Sequence, residues 1–107
     1  MYKQDLNTDD VSEIITKEKP EIVYYLAGPI NLRRNILDPL FLQETNFFSR
    51  TEKILHGCAK NNVKKIIFIS SGGSIYENAN IIPTPENYSV HPVSMYGLAN
   101  LLIEKYI

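Results

Sequence analysis

Two unbroken apolar runs stand out against stretches in which apolar residues recur every three or four positions: Ile22-Val23-Tyr24-Tyr25-Leu26 and Ile66-Ile67-Phe68-Ile69. Both are rich in β-branched and aromatic side chains, which suit a strand. Ile66–Ile69 does not alternate with polar residues, so burial of that strand on both faces is expected, as in the middle of a parallel sheet. Each run closes on breakers, Ala27-Gly28-Pro29 after the first and Ser70-Ser71-Gly72-Gly73 after the second. The periodic stretches predict three helices. Val11, Ile14 and Ile15 form the apolar stripe of the first. Thr8 or Asp9 is expected to cap it, Asp9, Asp10 and Glu13 place acids in its first turn, and Pro20 stops it. The second runs from about Leu40 to Asn61, with Leu40, Phe47, Phe48, Thr51, Ile54, Leu55, Cys58 and Ala59 on a period near 3.6 and Asn61-Asn62 as its stop. The third starts near Ser94 and carries Leu98, Leu101, Leu102 and Ile103. Asp5-Leu6-Asn7-Thr8 reads as a strand end running into a cap. Residues 30–39 read as an irregular loop, and a second loop is expected from Ser71 to about Pro92.

The order is therefore helix, strand, helix, strand, helix. Two strands joined through a long helix make a parallel βαβ unit with a right-handed crossover. The fold class is α/β, and the chain reads as one domain or a piece of one. In open α/β sheets ligands sit just past the carboxyl ends of the strands, where the Ser70–Gly73 cluster falls. Taken alone, that cluster is better explained as a plain turn.

Composition narrows the function classes. The 107 residues are 44% hydrophobic and 21% charged, an ordinary globular balance. A net charge of -1 makes no electrostatic case for nucleic acid or an anionic membrane. No apolar run approaches the roughly 20 residues of a membrane-spanning helix, and the N-terminus lacks a signal-peptide core. Cys58 is the only cysteine, which fits a reducing, cytoplasmic setting. It reads as a small buried hydrophobe. His56 and Cys58 lie two apart on a helix and do not face one another, so they make poor metal partners. Arg33 and Arg34 read as a solvated loop, and His91 as a solvated residue.

The remaining signal is Tyr96-Gly97-Leu98-Ala99-Asn100 at the start of the last helix. Residues four apart share a helical face, so Tyr96 and Asn100 can address one ligand. With the motifs before it, this stretch resembles the middle of an extended short-chain dehydrogenase/reductase, specifically the NAD-dependent nucleotide-sugar epimerase/dehydratase family. The resemblance covers nearly the whole chain, because several motifs occur in order. Asp5-Leu6 resembles the pair that contacts the adenine ring, and Leu26-Ala27-Gly28 the strand-end motif beside the cofactor. Asn46, expected inside the long helix, matches that helix's asparagine. Val63 through Tyr76 resembles the strand and loop that bear the catalytic hydroxyl, so Ser70 would border the cofactor. Pro83, Glu86 and Pro92 through Gly97 resemble the approach to the active-site tyrosine, and Glu104 falls where the family often has a glutamate.

The resemblance implies a partial Rossmann-type, doubly wound parallel sheet: an NAD(P)-binding domain over residues 1–107 without the N-terminal glycine-rich unit and the C-terminal substrate domain. It implies hydride transfer between a sugar carbon and NAD, with a nucleotide sugar as substrate. Tyr96 would take the sugar hydroxyl proton, and Ser71 or Ser74 would bond the same oxygen, the usual serine position being Gly72 here. Two departures set a further expectation. The family's lysine, four residues after the tyrosine, is Asn100. A cation ~4–5 Å from a phenol is worth roughly 3–4 kcal/mol at an effective dielectric of about 20, and an amide supplies no charge. No GxxGxxG occurs in the sequence, so the turn that seats a diphosphate on a helix N-terminus is missing. The expectation is a truncated fragment that is inactive alone. Two alternatives stand beside it: one half of a split enzyme, completed by a chain that carries the glycine-rich turn, or a non-catalytic module that self-associates through an open strand edge into a homo-oligomer.

Overall fold

The computed structural model describes residues 1–28, 40 and 46–107, with the following elements: α1 (Ser12–Glu18), β1 (Ile22–Tyr25), α2 (Phe47–Lys60), β2 (Lys65–Phe68), α3 (Gly72–Ile75) and α4 (Met95–Tyr106). The loop over 30–39, with Arg33 and Arg34, lies outside the described residues, as do positions 41–45 of the expected long helix. The described residues divide into two compact units, 1–28 with 46–69, and 40 with 70–107.

In the first unit β1 and β2 pair in parallel, Ile22 opposite Lys65 through Tyr25 opposite Phe68, with α2 in the connection between them. The ladder continues one step further as the Ile69 N–H donates to the Tyr25 carbonyl at 3.0 Å. Successive strand residues point to opposite faces. Val23, Tyr25, Ile66 and Phe68 share one face, which packs on Ile15 of α1 and on Ile54 and Cys58 of α2. Burial pushes the Cys58 thiol above its ordinary value, as suits a small core hydrophobe. The two helices approach closely at Gly57, where a Cβ would stand 3.0 Å from the Ser12 Cα. Thr51 and Tyr25 are buried together. The Thr51 hydroxyl donates to the Phe47 carbonyl at 2.9 Å, so its proton is committed and the Tyr25 hydroxyl, 3.2 Å away, is the donor between them.

The other sheet face stands open, where the unbroken run Ile66–Ile69 suggests burial. Ile22, Tyr24 and Leu26 share it with Ile67 and Ile69, and it is not covered: Tyr24 is 62% and Leu26 67% exposed. The uninterrupted apolar runs record a demand for cover on both sides that the described residues meet on one.

Local chemistry explains the other departures. Residues 5–9 form a turn, not a strand end: the Asp5 carbonyl accepts from the Thr8 and Asp9 N–H groups and its carboxylate accepts from the Asn7 N–H at 2.8 Å. Neither Thr8 nor Asp9 caps α1. Its cap residue is Val11, without a side-chain hydrogen bond, and Asp10 accepts from the Ser12 N–H at 2.9 Å instead. That bond holds the Asp10 carboxyl below the usual carboxylate range. A depressed value in the folded state adds stability above the unfolded pKa, and the gain is lost as pH falls through the folded value. Asp10→Asn should therefore flatten the acid limb of the stability profile, read from urea midpoints across acid pH, and leave the shape above neutrality unchanged. Lys19 ends α1 in the left-handed region, φ 47°. Asn46, expected inside the long helix, is instead the N-cap residue of α2, also left-handed at φ 48°. Ala59 is exposed, whereas Arg50 is buried.

In the second unit the expected loop after β2 begins with a helical turn, α3. Ile75 of α3 is buried, as are Ala99 and Ile103 of α4. The His91 N–H donates to the Ile75 carbonyl at 3.0 Å, tying the end of the connection to α3. Within that connection Tyr76 and Tyr88 meet edge to face, centroids 6.4 Å apart. The last helix, expected to start near Ser94, is capped by that residue, its hydroxyl accepting from the Gly97 N–H at 3.0 Å.

Candidate functional site

Two elements of the second unit bring the hydroxyl-bearing residues together. Ser70 and Ser71 lead into α3, and one turn of helix carries Ser74 back over Ser71, so that their Oγ atoms lie 3.0 Å apart. A hydroxyl has one proton and two lone pairs, so the pair keeps one proton to offer a ligand after one serine has donated to the other. The Ser70 Oγ is buried with no hydrogen-bond partner among the described residues. α4 then fixes Tyr96. Gly97 sits so close to α3 that a Cβ there would stand 2.3 Å from the Ser74 carbonyl oxygen and 3.0 Å from the Pro92 Cβ. The backbone just after Tyr96 thus rests against the backbone of Ser74, which puts the tyrosine's segment beside the serine pair.

Asn100 stands one turn after Tyr96 on α4. Its Nδ2 donates to the Tyr96 main-chain carbonyl at 2.8 Å, and the residue is 3% exposed. The amide turns back on its own helix and acts as a brace. Glu104 lines a polar groove of the same unit with Glu86, His91 and Lys105. No group of three or more metal-ligating side chains occurs among the described residues.

The residues expected at the cofactor lie partly in the first unit. Leu6 and Ala27 converge on one apolar groove of about 220 Å³, whose walls include Val11, Ile15, Val23 and Ile54. A flat aromatic base suits such a lining. Asp5 is exposed beside it, with its carboxylate engaged by the Asn7 N–H. Leu26, Gly28 and Asn46 are exposed, and nothing stands within 4 Å of a Cβ built at Gly28. Sequence reasoning missed Arg50, whose burial no apolar pattern signals, and the Ser71–Ser74 bond, which needs the unforeseen turn of α3.

The model of the "NAD dependent epimerase/dehydratase family" matches residues 2–107. The chain belongs to that family. A putative UDP-glucose 4-epimerase of Methanocaldococcus jannaschii is 35% identical over 103 residues, 96% of this chain and 33% of its own length. The UDP-glucose 4-epimerase of Mycolicibacterium smegmatis is 30% identical over 105 residues, 98% of this chain and 33% of its own. Among solved structures, the UDP-glucose 4-epimerase of Thermotoga maritima with UDP-glucose superposes at a TM-score of 0.83 and 33% identity, covering 98% of this chain and 34% of that one. The chain thus spans about a third of the length of these epimerases, and its βαβ core is a partial Rossmann-type fold. No helix among the described residues is long and apolar enough to cross a membrane.

Proposed function

We propose that this chain supplies the hydroxyl-bearing half of a nucleotide-sugar epimerase/dehydratase site and does not turn over substrate unaided. In this reading NAD, when bound, supplies the hydride acceptor. Tyr96 accepts the proton of the sugar hydroxyl that is oxidised, and the Ser71–Ser74 pair donates its remaining proton to the same oxygen. Leu6 and Ala27 would hold the adenine in their apolar groove, with Asp5 at its rim. Leu26, Gly28, Asn46 and Ser70 would border the rest of the cofactor. The ribose end fits poorly, because Asn100 brings no charge and one of its two amide N–H groups is donated to the Tyr96 carbonyl.

One observation carries the reading of inactivity: the position from which the family's lysine serves tyrosine and ribose holds a buried amide bonded to the Tyr96 carbonyl. Isothermal titration of the purified chain with NAD should give no submillimolar binding and, with UDP-glucose added, no absorbance from reduced nicotinamide. Submillimolar affinity would overturn the proposal.

The uncovered sheet face favours a second reading, in which another polypeptide completes the fold. A chain with a glycine-rich strand-turn-helix should then co-purify with this one, and their failure to associate would remove the idea. If two copies of this chain cover the face instead, light scattering should give a stable dimer, and a monomer would count against it.

A further inference from the structure

We infer that the N-terminal turn of α2 is a binding site for a phosphoryl oxyanion, with Arg50 as its fork. The site lies in the first unit, and its cap residue Asn46 is one that the proposed function sets beside the cofactor; binding of the anion itself requires no turnover.

Three features of that turn are each unfavourable without an anion. First, the N-cap residue Asn46 makes no side-chain hydrogen bond to the helix, and no acidic residue stands in the first turn. The helix is 14 residues long, so its N-terminus carries an appreciable positive partial charge. Second, the charged residue that does stand there has the wrong sign for a helix start. Arg50 reaches back over the first helical residue, its guanidinium carbon 5.6 Å from the centroid of the Phe47 ring. Third, Arg50 is only 8% exposed, and its Nε is buried without a hydrogen-bond partner among the described residues. A guanidinium withdrawn from water needs an acceptor at each N–H, and the π face of Phe47 offers none to an in-plane Nε–H.

A single tetrahedral oxyanion answers all three. Free N–H groups at a helix start and an arginine fork converge on phosphoryl oxygens in the same geometry, and the anion reverses the sign of the local field. Stacking on Phe47 holds the plane of the fork, which cuts the ordering cost of binding. A phosphoryl group fits better than a carboxylate because it can give two oxygens to the fork and a third to the helix. It can come from free phosphate or from the end of a nucleotide.

The test reads the unpartnered atom directly. The whole chain, labelled with ¹⁵N-arginine, gives one Nε–H resonance for each of Arg33, Arg34 and Arg50, and Arg50→Lys identifies the third by its loss. If that variant does not fold, Arg33→Lys and Arg34→Lys assign it by elimination. Titration with inorganic phosphate at low ionic strength should move the Arg50 resonance saturably and leave the other two in place. Phosphate should also raise the melting temperature of the wild-type chain. UDP in place of phosphate distinguishes the sources: saturation at about tenfold lower concentration assigns the site to a nucleotide, and equal potency assigns it to free phosphate. An Arg50 resonance that stays still with both ligands, or one that moves only as much as those of Arg33 and Arg34, overturns the site.

Discussion

Gly97→Ala should destabilise the second unit by about 2–3 kcal/mol, although alanine is the better helix former by up to about 1 kcal/mol. The added methyl would stand 2.3 Å from the Ser74 carbonyl oxygen, a backbone atom that no rotamer change can clear. Relief requires α4 to move off α3, which would also draw Tyr96 away from the serine pair. Gly73, in α3, is the internal control: nothing lies within 4 Å of its would-be Cβ and its φ is not positive. Gly73→Ala should be neutral or slightly stabilising. Urea midpoints of the two variants against wild type test the contrast, and equal midpoints would show that the contact at Gly97 does not hold α4.

Asn100→Lys, the substitution that returns the family's lysine, should cost stability before it can restore chemistry. The native amide is buried and its Nδ2 satisfies the Tyr96 carbonyl. Replacing it loses that bond, about 1 kcal/mol, and brings an ammonium into a site with almost no contact with water. A net loss of about 2–4 kcal/mol is expected where the lysine stem cannot carry its head to the surface. Thermal melts read the loss, and Asn100→Asp controls for size. An unchanged melting temperature would mean that the position still opens towards a ligand, and the argument for inactivity would lose its main support. In a complex with a chain bearing the glycine-rich turn, the same substitution should raise turnover by on the order of a hundredfold, through the charge placed beside the phenol.

The parts of the fold legible in the sequence are those governed by local rules. The two β-rich runs became the two strands, their parallel pairing follows from the long connection, and α4 starts next to Ser94 as expected. The motif order pointed to the family that the comparison confirmed. Readings failed where several side chains compete for one backbone group. Thr8, Asp9 and Asp10 are all good cap formers, and only the turn at Asp5 decides that Asp10 takes the Ser12 amide. Asn46 was misplaced because an asparagine reads equally as a polar helix residue or as a left-handed cap. The spacing of Tyr96 and Asn100 does not reveal that the Asn100 amide donates to the Tyr96 carbonyl. Burial on both sheet faces was a sound reading of what the residues prefer. Whether a covering element is supplied depends on atoms outside the runs themselves.

The apolar outer face made by Ile22, Tyr24, Leu26, Ile67 and Ile69 therefore has a consequence for the polypeptide's lifetime. In a cell, exposed aliphatic and aromatic strands are what holdase chaperones grip and proteases sample. Turnover of this protein should thus be governed by how quickly that face finds cover, and its abundance should track the supply of whatever provides it.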